Sequence, residues 1–350
     1  MTQLEATPVS QTDRITRPIF LSGLRKSGTS MSRMLFDGHP STFTYPRNEM
    51  HFFRYTDSPH ITSNRKPCVG TMRERIELLC SDKWFSNTIR GFDGTIFKEN
   101  MFKRLDAGQV NSDRELLEAI LCSAVRASSY YEGQPIDQLR VVVKGVHQAE
   151  FFPELLAWYP DIKFIYVLRN PYGQLNSAIH NMRHNQMGRD ELNRIANDHK
   201  KLHKKLPYPF LGQRLLEMRL SYYFMRKWSK LYPEHFKILV YDRLLADPEA
   251  ELRPLAEWIG IDYDPCLQQV TRDHGNPMGR EGWSVGGSHK KGEISTAPMT
   301  AWKEQMPDGV QMLVGKLFHD VISEFGFEAR RPQVSKWKKF DKAEDWRTFA

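Results

Sequence analysis

The chain has 350 residues, with 50 Lys plus Arg against 42 Asp plus Glu and a formal charge of +8. Hydrophobic residues make up 40% and charged residues 26%, a balance that excludes a disordered, collagen-like or coiled-coil protein and fits a soluble folded chain with a sizeable core. The length suits two domains of ordinary size or one large α/β domain carrying insertions.

In chain order, residues 1–17 hold no apolar segment of the kind a secretory signal needs, so they are expected to form a polar arm. The first strand is predicted at Pro18–Ser22 and a weaker one at Thr42–Tyr45. Arg54–Gly94 is polar, basic and irregular, and reads as an insertion over a site. Ser112–Tyr131 places Leu116, Leu117, Ile120, Leu121, Ala124 and Val125 at helical spacing, with Gly133 and Pro135 ending the helix. Strands follow at Arg140–Val143 and Lys163–Leu168, each with the continuous apolar centre of a strand covered on both faces. Met182–Gly212 resembles the earlier irregular stretch. Arg214–Tyr232 is a long amphipathic helix stopped by Pro233, and Lys237–Tyr241 is a further strand. Pro248–Ile259 is a helix closed by Gly260, and the last helix is predicted over Asp308–Phe325. The basic residues Arg330, Arg331, Lys336, Lys338 and Lys339 beside Trp337 mark 328–350 as a solvated tail. Strands alternating with helices predict one α/β domain over 18–327, with a mainly parallel central sheet flanked by helices.

No apolar run approaches the ~20 residues that span a bilayer. Cys68, Cys80, Cys122 and Cys266 are widely separated, which favours reduced thiols and a cytoplasmic location.

The most informative segment follows the first strand. Gly23 and Gly28 are spaced as in the nucleotide-binding pattern Gly-x-x-x-x-Gly-Lys-Ser/Thr, but Thr29 stands where the lysine belongs, and lysine occurs instead at Lys26. A strand, a glycine-bearing loop and a helix start together form an anion cradle, because the first helical N–H groups lack intrahelical partners and face the positive end of the helix dipole. An ATPase would also want an acidic metal ligand at the end of another apolar strand, whereas Phe164–Leu168 ends in Arg169. Arg169 leaves that strand as a fork suited to a phosphate, Asn170 and Pro171 start a helix well, and Ser177 falls in its second turn, so Arg169 and Ser177 can converge on one anion.

These two segments resemble the two cofactor motifs of sulfotransferases that use 3′-phosphoadenosine 5′-phosphosulfate (PAPS). The resemblance implies a nucleotide-loop architecture like that of P-loop NTPases. Arg25, Lys26, Ser27, Gly28, Thr29 and Ser30 would wrap the 5′-phosphosulfate, and Arg169 with Ser177 would hold the 3′-phosphate. Asn48-Glu-Met-His-Phe-Phe53 is similar to the catalytic segment of heparan-sulfate and related carbohydrate sulfotransferases, which makes Glu49 the base for the acceptor hydroxyl. His51, two residues on in an extended segment, would orient or supplement it. Lys26 and Lys144, the latter resembling a family lysine at a strand end, would neutralise charge developing on the leaving phosphate and sulfonate oxygens. Lys291 and Gly292 resemble a Lys-Gly pair that covers the cofactor's 3′-phosphate.

The pairs His180/His184 and His199/His203 could face one way on helices, but they lack the glutamate of a zinc motif and sit among Asn, Arg and Lys, so no metal is expected. No nucleic-acid module is present, and the basic surplus suits a polyanionic cofactor or an acidic glycan. The expectation is a PAPS-dependent sulfotransferase acting on a hydroxyl, most plausibly on a carbohydrate. A small-molecule kinase using the same loop and a non-catalytic binder of nucleotides or anionic glycans are the alternatives.

Overall fold

The computed structural model describes residues 14–46, 49–50, 52–56, 70–81, 91–184, 208–272, 274–277 and 294–330. Its centre is a five-stranded sheet in the order β2-β3-β1-β4-β5. The strands are β1 (Ile19–Gly23), β2 (Thr42–Thr44), β3 (Arg140–Lys144), β4 (Lys163–Leu168) and β5 (Phe236–Val240). All four pairings are parallel. Each of the three middle strands is buried almost throughout, as a sheet covered on both faces requires. Phe20, Val141, Val143, Phe164 and Tyr166 point into one apolar layer. Ile19, Leu21, Val142, Ile165 and Val167 point into the other. Alternation along each strand thus feeds two cores from one sheet.

The helices in order are α1 (Thr29–Met34), α2 (Met72–Cys80), α3 (Gly94–Asp106), α4 (Asp113–Arg126), α5 (Phe152–Trp158), α6 (Pro171–His184), α7 (Tyr208–Leu231), α8 (Tyr241–Ala246), α9 (Pro248–Ile259), α10 (Trp302–Gln305), α11 (Asp308–Leu317) and α12 (His319–Glu324). A two-residue antiparallel pair, β6 (Thr271–Arg272) with β7 (Asn276–Pro277), follows α9.

Several expected boundaries move for identifiable reasons. β1 and β5 each lie one residue from their predicted positions. The helix expected to reach Tyr131 ends at Arg126, because the chain beyond it pairs with the segment before α3. Asp93 N–H donates to Ala127 O at 2.8 Å, Ser129 N–H donates to Gly91 O at 2.8 Å, and Phe92 bridges Ser128. The predicted helix Asp308–Phe325 is two helices, α11 and α12. They divide at Phe318, whose fully buried ring meets Tyr222 of α7 edge-on at 5.6 Å, and whose φ of −121° is not helical. Inside the stretch expected to be irregular, α2 forms behind a capping box. Thr71 caps Glu74 N–H, and the Glu74 carboxylate accepts from Thr71 N–H at 2.7 Å. α3 begins at an Asp93 N-cap and buries Phe97 and Met101. α7 starts at Tyr208, before the expected Arg214.

Candidate active site

β1 lies between β3 and β4, so the chain leaves its C-terminal end toward one half of the sheet and returns to the other. In such sheets the ligand crevice forms at this switch point. Register brings the relevant strand ends together there, with Leu21 opposite Lys144 and Gly23 opposite Val167. Two further bonds tie the loop after β3 to β1, Gly145 N–H to Leu21 O at 2.9 Å and His147 N–H to Gly23 O at 3.0 Å.

The loop from Leu24 to Gly28 turns tightly. The Ser27 hydroxyl donates to Leu24 O at 2.8 Å, and Lys26 adopts the left-handed φ of 66°. Gly28 is the N-cap of α1 with φ 99°, and a Cβ there would lie 2.2 Å from the Tyr241 ring. Only glycine fits both conditions. Lacking a side chain, Gly28 gives the first turn of α1 no cap, and no acidic residue stands in that turn. Thr29 and Ser30 are buried. The Lys26 ammonium has its pKa lowered chiefly by desolvation and further by Arg25 and Arg169, with Glu49 pulling it back up.

Lys144, the last residue of β3, has a side chain only 1% exposed, and its ammonium donates to Glu49 Oε1 at 2.8 Å and to Ser30 Oγ at 3.0 Å. Backbone contacts set this meeting. Met50 N–H donates to Lys144 O at 2.8 Å, and Gln148 Nε2 donates to Met50 O at 2.9 Å, so the chain after β2 lies along the end of β3. Burial pulls the Lys144 pKa down to about 8 against the attraction and hydrogen bond of Glu49, with Arg33 and Arg25 lowering it further.

On the other side of β1, Arg169 Nη1 donates to Lys26 O and to Ser177 Oγ, both at 2.9 Å, and Nη2 donates to Pro298 O at 2.7 Å. Its guanidinium carbon lies 5.3 Å from the centre of the Tyr241 ring. Asn170 Oδ1 accepts from Tyr172 N–H at 3.1 Å, the N-terminal cap expected ahead of Pro171, and Asp242 Oδ2 accepts from Asn170 N–H at 2.8 Å. Burial lowers the Arg169 pKa, with Tyr241 and Asp242 pulling it back up, and its buried Nε has no hydrogen-bond partner.

The site residues expected from sequence therefore meet in one place among the described residues. Arg25, Lys26, Ser27, Gly28, Thr29 and Ser30 form one turn, which meets Lys144, and through it Glu49, on one side and Arg169, and through it Ser177, on the other. His51, Lys291 and Gly292 lie outside the described residues, and so do His199 and His203. Two residues beside the turn were not expected: His147 and Gln174 line a cleft with Leu24, Lys26, Asn181 and Arg214. Gln174 falls inside the Arg169–Ser177 motif and His147 follows Lys144 by three, so proximity to those motifs was the available signal.

An uncapped helix start beside two ammonium groups, and a buried guanidinium whose Nε has no hydrogen-bond partner, fit a ligand carrying two separated anionic groups. The fold and this arrangement define an α/β protein with a nucleotide-loop-like turn at the end of its central strand. A model of the sulfotransferase family matches residues 18–265, and the chain belongs to that family.

An uncharacterized protein of Aquifex aeolicus (strain VF5) is 24% identical over 249 residues, covering 71% of this chain and 26% of that protein. The chain thus spans about a quarter of that relative's length. Among solved structures, the sulfotransferase domain from the curacin biosynthetic pathway aligns with a TM-score of 0.54 at 19% identity, covering 91% of this chain and 100% of that one. The sulfotransferase domain of the Synechococcus PCC 7002 olefin synthase aligns with a TM-score of 0.51 at 15% identity, covering 90% and 96%. Both share the fold. Among the described residues no helix is long and apolar enough to cross a membrane, and no group of His, Cys, Asp and Glu could hold a metal ion.

Proposed function

We propose that this chain transfers a sulfuryl group from PAPS to a hydroxyl acceptor, in the cytoplasm as the scattered cysteines suggest, and releases 3′-phosphoadenosine 5′-phosphate (PAP). The observation that carries this reading is the Lys144 ammonium, which bridges Glu49 and Ser30 and so joins a candidate base to an anion cradle. PAPS, when bound, supplies an electrophilic sulfur and a stable leaving phosphate. Lys26 to Ser30 hold the 5′ group through backbone N–H donors and the Thr29 and Ser30 hydroxyls, while Arg169 and Ser177 hold the 3′-phosphate. Glu49 accepts the acceptor's proton as the new S–O bond forms and the S–O bond to the phosphate breaks. Lys26 and Lys144 offset the charge that collects on the departing oxygens.

Similarity of the segment around Glu49 to carbohydrate sulfotransferases supports a sugar hydroxyl as the acceptor. Incubation with PAPS and sugar or phenolic acceptors should release PAP. Turnover of Mg-ATP in place of PAPS overturns the reading in favour of a kinase, and PAP binding without turnover of any acceptor overturns it in favour of a binder.

A further inference from the structure

β4 and β5 end side by side, with Leu168 paired to Val240. The residues that follow meet as well. The Arg169 guanidinium lies against the Tyr241 ring, and Asp242 Oδ2 accepts from Asn170 N–H at 2.8 Å. Asn170 is buried, and its Oδ1 caps Tyr172 N–H, so the Asp242 carboxylate holds the residue from which α6 starts. The guanidinium gives its hydrogen bonds to other groups, Lys26 O, Ser177 Oγ and Pro298 O. Asp242 and Arg169 therefore act on each other through space. The carboxylate raises the Arg169 pKa against burial, and the guanidinium pulls the Asp242 pKa down, although burial keeps it above the usual aspartate value.

A carboxylate behind a buried cation has opposite effects in the empty and the loaded site. Without a ligand it offsets part of the cost of burying Arg169. A phosphate dianion arriving at Arg169 and Ser177 meets the same carboxylate as a like charge, which weakens its binding. The oxygen and the charge are separable, because asparagine keeps an acceptor oxygen and carries no charge.

We propose that Asp242 is a positioning residue for the Arg169–Ser177 pair: its oxygen fixes the start of α6, and its charge limits how tightly the pair holds a phosphate dianion, so that PAP can leave. The proposal rests on the sulfotransferase reading, which assigns a 3′-phosphate to that pair.

Calorimetric titration of wild type, Asp242→Asn and Asp242→Ala with PAP and with AMP, which lacks the 3′-phosphate, tests it. Asp242→Asn should bind PAP about tenfold more tightly than wild type and keep AMP affinity within about threefold. Asp242→Ala also leaves Asn170 N–H unmatched, and should bind PAP at least about tenfold more weakly than Asp242→Asn. A carboxylate with a packing role alone would leave the asparagine variant at wild-type PAP affinity. That result, an equal gain for AMP, or the same PAP affinity in the two variants would overturn the proposal. Should Asp242→Ala not fold, the isosteric Asp242→Asn decides by its ratio of PAP to AMP affinity. Equal wild-type affinity for PAP and AMP would instead sink the assignment of a 3′-phosphate to Arg169, and the proposal with it.

Discussion

The Arg169 guanidinium donates to the Lys26 carbonyl oxygen at 2.9 Å, so the group proposed to hold the 3′-phosphate also braces the turn proposed to hold the 5′ end. Arg169→Ala should weaken PAP binding by at least about a hundredfold, since two or more charge-assisted hydrogen bonds go at once. Arg169→Lys should not restore it, because an ammonium cannot reach Lys26 O, Ser177 Oγ and Pro298 O together. A thermal-shift comparison of PAP with AMP checks this: the extra stabilisation by PAP should vanish in both variants.

The pKa of Lys144, near 8, gives a pH dependence with a definite sign. Its ammonium discharges as pH rises through that value, so kcat/KM for PAPS should fall on the alkaline side with an apparent pKa near 8. The limb in kcat should lie higher, because the bound anionic donor favours the charged form. Lys144→Arg, charged throughout, should flatten the limb. Stability should move the other way. From about pH 8 up to the ordinary lysine value of 10.5 the native state holds fewer protons at this position than the unfolded chain, so this residue's contribution to stability rises with pH across that window. Urea unfolding at several pH values, compared between wild type and Lys144→Arg, measures it.

Gly28→Ala should be severe. The φ of 99° is unfavourable for any side chain, and the new methyl would sit 2.2 Å from the Tyr241 ring. Strain and overpacking together should cost roughly 2–5 kcal/mol of stability, read from the urea midpoint. In a double-mutant cycle, Tyr241→Ala should recover the steric part and leave the backbone part.

Glu49→Gln should lower kcat by about 100- to 10,000-fold, the usual worth of a positioned general base, with PAP affinity kept. Stopped-point measurement of PAP release gives the rate, and full activity in the variant would remove Glu49 from the chemistry.

The turn from Leu24 to Ser30 was legible in the sequence because its demands are local. A strand end, two spaced glycines and a helix start lie within one stretch of chain, and Arg169 and Ser177 lie on one strand-to-helix junction. The Glu49–Lys144 contact carries no such signal. It joins residues 95 positions apart and is set by the bond from Met50 N–H to Lys144 O, a product of how β2 packs beside β3. α3 was passed over because its buried stripe is thin: Phe97 and Met101 are covered, while Ile96 on the same helix is 41% exposed.

Tyr172 of α6 stacks on Trp302 of α10 with ring centres 4.4 Å apart, a contact made beyond the residues the family model matches. With the bond from Arg169 to Pro298 O, it makes the region from Ala297 onward a rear support for the start of α6 and for Arg169. A recombinant fragment cut at residue 265 would strip the aromatic cover from the start of α6 and remove an acceptor from Arg169. A fragment that keeps both contacts must therefore extend past Trp302.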